Sequence, residues 1–94
     1  MRVGVTLSGA VRVVVGRAEV EVTLDTPSAT VAQAIEALSA RFPRARPYLQ
    51  APSGGVAPGV RVLLNETRID GADALTAPLR EGDRIALLMP VVGG

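Results

Sequence analysis

Only one segment of the sequence has a long helical period, and this segment restricts the fold most strongly. It reads "TVAQAIEALSARF" over residues 30–42, and Pro43 ends it. Its large apolar residues follow one another at spacings of 4, 3 and 4 along one helical face: Val31, Ile35, Leu38 and Phe42. Thr30 and Gln33 match a capping box at its start. Because burying each large side chain stabilises a fold by roughly 1.5–3 kcal/mol, this stripe can hold the helix against a sheet.

Alternating apolar residues on both sides of the helix predict strands. In "RVGVTL" at 2–7 and "AEVEVTL" at 18–24, Val and Leu side chains share one face. The short connection between these two segments favours an antiparallel hairpin. After the helix, "VRVLL" at 60–64 alternates again. Asn65 is expected to turn the chain into a short strand at 67–69, because asparagine tolerates the left-handed conformation.

The last predicted strand, "RIALLM" at 84–89, follows an "EGD" turn and is apolar on both parities from residue 85. Such a strand is either central in a sheet or presents an apolar face to a partner. Alternation places Ile85, Leu87 and Met89 on the core side and Leu88 on the opposite side.

Two longer connections complete the chain. The Pro/Gly-rich segment 43–59 is expected to pack one short turn against the core through Tyr48 and Leu49. Leu75 and Leu79 are the expected anchors of the loop that begins at residue 70.

The order of the predicted elements is strand, strand, helix, strand, short strand, strand. One helix that crosses one face of a mixed sheet is an α+β roll, and the right-handed crossover rule places the last strand beside the first. The sequence therefore predicts a β-grasp, ubiquitin-like fold with a mixed sheet of four to five strands. We expect one domain over residues 1–94, with 90–94 as a flexible C-terminal tail.

Composition excludes several classes of function. The formal net charge is +1, so no overall field attracts nucleic acid or an acidic membrane. The sequence contains neither histidine nor cysteine, so a self-contained enzyme is not expected. Asp70, Asp73 and Asp83 have no metal-loop spacing and are expected to cap turns. No stretch reaches the ~18 apolar residues of a membrane span, and we expect a cytoplasmic protein.

The C-terminal segment "LLNETRIDGADALTAPLREGDRIALLMPVVGG" carries a family resemblance. Its most specific parts are Asn65 at the turn, the run Leu79-Arg80-Glu81-Gly82-Asp83, the apolar strand, Pro90-Val91 and the final Gly93-Gly94. Together with "AVRVVVG" at 10–16, these parts resemble the ubiquitin-like sulfur-carrier proteins of the MoaD/ThiS type, which include the small subunit of molybdopterin synthase.

The resemblance implies a chemical role for the glycines. A ubiquitin-activator-like adenylating enzyme would use ATP to convert the Gly94 carboxylate to an acyl-adenylate, and a persulfide would then supply the sulfur of a thiocarboxylate. No cofactor would be bound to the chain itself. The sulfur would pass to an acceptor enzyme, such as the large subunit of molybdopterin synthase in molybdenum cofactor biosynthesis or a cysteine synthase.

The same resemblance implies roles for the residues before Gly94. Gly93 would leave clearance in a partner's narrow channel, and Pro90, Val91 and Val92 would form a semi-stiff neck. Four extended residues reach about 13 Å at ~3.3 Å per residue, enough to enter such a channel. Leu88 and Val91 are the candidate docking residues for the activating enzyme.

Residues 11–15, "VRVVV", give two conflicting predictions. Their β-branched side chains favour a strand by propensity. The resemblance implies a short helical turn after the first strand, and we adopt the helical interpretation.

Other functions stay open at this point. A protein modifier would use the same tail to form an isopeptide with lysine, and a plain binding module for RNA or a small ligand would not need the tail. The 94-residue length, the long 43–59 connection and Met89 also suit carriers for cysteine or another sulfur-containing metabolite. Arg41, Arg44 and Arg46 form either a solvated helix end or a contact for an acidic partner.

Overall fold

The computed structural model describes residues 1–52, 55–69 and 73–89 of the protein. In chain order the elements are β1 (Arg2–Leu7), α1 (Ala10–Val15), β2 (Glu19–Thr23), β3 (Ala29–Thr30), α2 (Val31–Arg41), a 3₁₀ turn (Pro43–Ala45), α3 (Arg46–Leu49), β4 (Arg61–Leu64), β5 (Thr67–Ile69), α4 (Asp73–Thr76), β6 (Pro78–Leu79) and β7 (Arg84–Leu88).

The main sheet has five strands in the order β2-β1-β7-β4-β5. β7 lies in the centre, parallel to β1 and antiparallel to β4. β1 and β2 form the expected antiparallel hairpin. The central position of β7 explains why both alternating sets of its side chains are apolar. The pairing of β1 with β7 confirms the prediction that the last strand lies beside the first.

The apolar stripe of α2 covers one face of this sheet, as predicted. Val31, Ile35 and Leu38 are buried, and Phe42 is half-buried against the same core. The sheet contributes the buried residues Val3, Val5, Val20, Val22, Val62 and Ile85. The capping box is confirmed: the Thr30 backbone N–H donates to Gln33 Oε1 at 2.8 Å, and the Gln33 N–H donates to Thr30 Oγ1 at 3.4 Å. Local signals therefore fix both the start of the helix and the face that it buries.

Residues 10–15 form α1, so the helical interpretation is confirmed and the strand that propensity favoured is wrong. Gly16 ends the helix in the left-handed conformation, and its N–H donates to the Arg12 carbonyl at 2.8 Å. Val11 is completely buried. Burial of one valine and a glycine cap thus outweigh the β-propensity of a short segment.

The connection that starts at Pro43 contains the 3₁₀ turn and α3. Leu49 is 1% exposed and packs in the core as predicted, whereas Tyr48 is 38% exposed, so its predicted packing is wrong. In this single-turn helix, only one of two adjacent side chains faces the core.

An ion pair joins α3 to α2. Arg46 Nη2 lies 3.0 Å from Glu36 Oε1, and Gln50 Nε2 donates to Glu36 Oε2 at 3.0 Å. The hydrogen bond from Arg46, followed by that from Gln50, holds the pKa of the exposed Glu36 carboxyl below its ordinary value. Arg46 therefore has a structural role within the arginine cluster.

A second, two-stranded sheet pairs β3 with β6, and the sequence analysis missed it. Ala29 pairs with Leu79 and Thr30 with Pro78. Leu79 is buried, which confirms one predicted anchor, and Leu75 packs only partly against the core. Ala74 in α4 is the buried residue beside Leu75. Two-residue strands are too short to show a period in the sequence.

The hairpin turn between β4 and β5 consists of Asn65 and Glu66, which both have positive φ angles, 49° and 72°. The Asn65 carboxamide explains its own position: its Oδ1 accepts from the Arg84 N–H at 3.0 Å, and its Nδ2 donates to Asp83 Oδ1 at 3.0 Å. Glu66 also has a positive φ, which L-residues with a Cβ adopt at a cost, and its side chain is exposed.

We expect Glu66→Gly to stabilise the protein by about 0.5–1 kcal/mol, because glycine adopts a positive φ without the cost that a Cβ imposes. Urea denaturation measures the change. The matched control is Glu19→Gly, at an exposed position of β2, which should destabilise because glycine weakens a strand. A loss of stability in Glu66→Gly would contradict the strain argument.

Candidate functional site

The described part of the chain ends directly after β7, at one end of the sheet. Leu88 ends the strand and Met89 follows it; we call these two residues the tail root, because the segment 90–94 starts from them. On one side Leu87 pairs with Leu7 at the end of β1, and on the other Leu88 pairs with Arg61 at the start of β4. The tail root therefore follows a central strand that is hydrogen-bonded to a neighbouring strand on each side.

The segment directly after β1 also contacts the tail root. The Ser8 backbone N–H donates to the Leu87 carbonyl at 3.2 Å, and the Met89 N–H donates to Ser8 Oγ at 3.4 Å. Gly9 lies against the Met89 backbone. The sequence analysis did not identify Ser8 and Gly9 as contacts of the tail root. A glycine that follows a strand is nevertheless a signal for a turn or a close backbone approach.

The side chains of β7 alternate as expected. Ile85 and Leu87 are buried in the core, and Leu88 is half-buried on the opposite face. Met89 packs partly against the core. Leu88 and Met89 border an open cleft of about 560 Å³, which is lined further by Gly59, Val60, Arg61 and Arg68.

The outer face of the sheet carries opposite charges at its two sides. Strand pairing places Arg61 beside Leu88, and Arg61 and Arg68 line the cleft that Leu88 and Met89 border. At the far edge, β2 exposes Glu19 and Glu21. The face is therefore basic and apolar near the tail root and acidic at the opposite edge.

Five of the six predicted site residues, Pro90, Val91, Val92, Gly93 and Gly94, lie outside the described residues. Leu88 is the one that the structure places. The predicted roles of all six stay predictions.

The acidic residues show no sign of a metal site in the described ranges. Asp83 accepts the Arg80 N–H at 2.8 Å and so stabilises the turn before β7, as expected, while Asp70 lies outside the described residues. Across residues 1–52, 55–69 and 73–89, no group of three or more potential ligands could hold a metal ion. None of the helices in these same ranges has the length and apolar character to cross a membrane.

Comparison with known structures gives the fold a family context. The chain is 28% identical to SAMP1 from Haloferax volcanii, with 100% of both chains covered and a TM-score of 0.86. A second structure, the small archaeal modifier protein 1 of H. volcanii, is 28% identical over 96% of this chain and 98% of that one, with a TM-score of 0.76. The BexX/CysO complex of Amycolatopsis orientalis contains a chain that is 24% identical, with 98% and 99% covered and a TM-score of 0.79. These similarities confirm the β-grasp fold.

One of two sequence comparisons finds a match, and this match covers nearly the whole chain. A search of curated proteins finds no match. The sequence model of the ThiS family matches residues 5–94. ThiS-family carriers are not catalysts themselves, so the chain is not an enzyme. The protein belongs to the ThiS family of ubiquitin-like sulfur carriers.

Proposed function

We propose that this chain carries sulfur as a thiocarboxylate on Gly94, most specifically as the small subunit of a molybdopterin synthase. The observation that carries the proposal is the ThiS-family match, which runs to residue 94 and so includes Gly93-Gly94. The lack of cysteine in the sequence supports it further, because a carrier that holds sulfur on its terminal carboxyl group needs no thiol.

The proposed chemistry proceeds in balanced steps. The Gly94 carboxylate attacks the α-phosphorus of ATP on a partner adenylating enzyme, which forms an acyl-adenylate and releases pyrophosphate. The terminal sulfur of a persulfide attacks the acyl carbon, AMP leaves, and an acyl disulfide remains. A second thiol then reduces this disulfide and releases the thiocarboxylate. This chain supplies the acyl group and the docking surface, and the partner supplies the nucleotide site.

Mass spectrometry tests the carrier proposal directly. We expect the chain, after incubation with an adenylating enzyme, ATP and a persulfide donor, to gain the mass that results from exchange of one oxygen for one sulfur. Omission of ATP is the control. An unchanged mass with an adenylating enzyme that is active on its own carrier would contradict the proposal.

The molybdopterin branch rests on a narrower observation. The segment "AVRVVVG" resembles the region after the first strand of the molybdopterin synthase small subunit, and α1 has the helical turn that this resemblance implies. The alternative is a carrier for cysteine or another sulfur-containing metabolite. Incubation of the thiocarboxylated chain with a molybdopterin synthase large subunit and, separately, with a cysteine synthase distinguishes them by which enzyme removes the sulfur.

A protein modifier is the second candidate function, since a relative of 28% identity is a small archaeal modifier protein. All ten basic residues of this chain are arginines, so it offers no lysine to a second copy of itself. A modifier role therefore predicts single additions to lysines of other proteins, and not chains linked through lysine. Formation of such isopeptides without any thiocarboxylate would favour the modifier.

The adenylating enzyme is proposed to dock on the apolar and basic surface around the tail root. Two features support this: Leu88 is half-buried on the outer sheet face, and Arg61 is exposed beside it. The chain in the BexX/CysO complex shows that a protein of this fold forms a complex with a partner. We expect the docking surface of the partner to be apolar with an acidic margin.

Leu88→Asp should weaken binding to the adenylating enzyme by about tenfold or more, because a carboxylate would be buried in an apolar contact. Isothermal titration calorimetry measures the affinity, and circular dichroism checks the fold. Thr23→Asp, on the exposed outer side of β2, is the matched control and should bind normally. If Leu88→Asp unfolds, Leu88 belongs to the core and the docking surface lies elsewhere.

A further inference from the structure

We infer that Ser8 and Gly9 are positioning residues for the chemistry at Gly94: they fix the point and direction from which the segment 90–94 leaves the fold. This inference rests on the proposed function, since it assumes that Gly94 is delivered to a partner's active site. Both residues contact the tail root directly.

Gly9 permits an approach that no other residue allows. A Cβ atom built at Gly9 would lie 2.8 Å from the Met89 carbonyl oxygen and 2.9 Å from Met89 Cβ. Real Cβ atoms essentially never come within 3.0 Å of such atoms. Because one of the two contacts is with backbone, a side-chain rotation of Met89 cannot relieve it. Any larger residue at position 9 must therefore displace either the tail root or the segment after β1.

The backbone of Gly9 adds a second requirement for glycine. Its φ of 70° and ψ of −146° lie in a region that L-residues rarely adopt. Gly9 is also the residue that precedes α1, and its carbonyl accepts the Val13 N–H at 3.4 Å. Gly9, which contacts Met89, therefore directly precedes a helix that the buried Val11 anchors in the core. Met89 in turn follows the central strand β7.

Ser8 holds the tail root through hydrogen bonds on both sides of Leu88. Its N–H donates to the Leu87 carbonyl, which extends the parallel pairing of β1 and β7 by one step, and its Oγ accepts the Met89 N–H. The hydroxyl thus accepts from a backbone donor that follows the last residue of β7. Ser8 orients the Met89 peptide, and the missing side chain of Gly9 allows that peptide to lie close to the segment after β1.

The length of the tail makes this positioning important. Five residues reach at most about 16 Å when fully extended, at ~3.3 Å each, so the position of Met89 sets the volume within which Gly94 can lie. A misplacement of 1 Å at a reacting group can cost about 100-fold in rate. A fixed origin reduces the range of positions that the Gly94 carboxylate must search within the channel of the adenylating enzyme.

The first test compares Gly9→Ala with Gly16→Ala. Both glycines have positive φ angles, 70° and 83°, but a Cβ at Gly16 would meet no atom within 4 Å. We expect Gly9→Ala to lower kcat of adenylation by about tenfold or more, with a smaller change in KM, because the clash at position 9 is with Met89 and not with the docking residue Leu88. Gly16→Ala should retain the wild-type rate. Rates are measured at a temperature where both variants are fully folded.

The second test uses Ser8, where no backbone strain is introduced. Ser8→Ala removes the acceptor of the Met89 N–H and should speed hydrogen exchange of the Met89 amide and lower kcat. Ser8→Thr retains the hydroxyl oxygen and should restore both values toward wild type. This pair keeps the inference testable even if Gly9→Ala does not fold.

The two hypotheses fail in distinguishable ways. If the wild-type chain is not adenylated, the proposed function fails, while the exchange of the Met89 amide still reports whether Ser8 holds the tail root. If the wild type is adenylated and Ser8→Ala matches it in both kcat and amide exchange, the positioning role is overturned. Equal rates in Gly9→Ala and Gly16→Ala would overturn the role of Gly9.

Discussion

Deletion of Gly94 is expected to abolish formation of both the acyl-adenylate and the thiocarboxylate while the melting temperature of the protein stays unchanged. In the proposed function the adenylating enzyme acts on one carboxyl group at one distance from the fold, and the deletion moves that group back by about 3.3 Å. A terminal residue contributes little to folding, so stability should not change. Pyrophosphate release and intact-protein mass spectrometry measure the two products.

Two further variants separate the causes of this loss. Addition of an alanine after Gly94 keeps every native residue but moves the free carboxyl group, and it should also abolish the reaction. Gly93→Val keeps the carboxyl group in place and should slow activation, because the branched side chain fills a channel shaped for backbone. Sulfur incorporation by the chain that lacks Gly94 would contradict the assignment of Gly94 as the carrier residue.

Leu38→Ala is expected to lower the free energy of unfolding by about 2–5 kcal/mol. Leu38 is 0% exposed at the centre of the α2 stripe, so its truncation leaves a cavity between helix and sheet. For a domain of this size the whole free energy of unfolding is about 5–15 kcal/mol, and the variant will be largely unfolded at elevated temperature.

Urea denaturation of Leu38→Ala and Val13→Ala provides the comparison. Val13 is 80% exposed on α1, so its truncation removes little buried surface and should change the free energy of unfolding by less than about 0.5 kcal/mol. A loss below about 1 kcal/mol in Leu38→Ala would mean that the helix does not depend on this contact.

The sequence predicts those parts of the fold whose signals are local and repeated. The α2 stripe and the alternating strands each show several residues in one period, which predicts the face that packs in the core. The capping box predicts the start of α2. The order of these elements, with the crossover rule, places β7 beside β1. Asn65 is predictable from a local signal of another kind, because asparagine tolerates the left-handed conformation that a tight turn requires.

The remaining features depend on contacts between distant residues. The paired strands β3 and β6 have two residues each and exist only because Ala29 meets Leu79 across the fold. Tyr48 and Leu49 are adjacent large side chains that can both contribute apolar surface, and the packing of α3 decides which of them is buried. Likewise, Gly9 acquires its role only when the fold brings it to Met89, a residue far away in the sequence.

The parallel pairing of β1 with β7 also determines how the protein bears mechanical load. β1 starts at one end of the sheet and β7 finishes at the other, so a pull on the segment 90–94 against a body held near Arg2 runs along both strands. The hydrogen bonds between them, from the Gly4 N–H to the Asp83 carbonyl through the Ser8 N–H to the Leu87 carbonyl, are then sheared together and not opened one by one. A force on the segment 90–94 would therefore load these hydrogen bonds together and move the folded body as a whole.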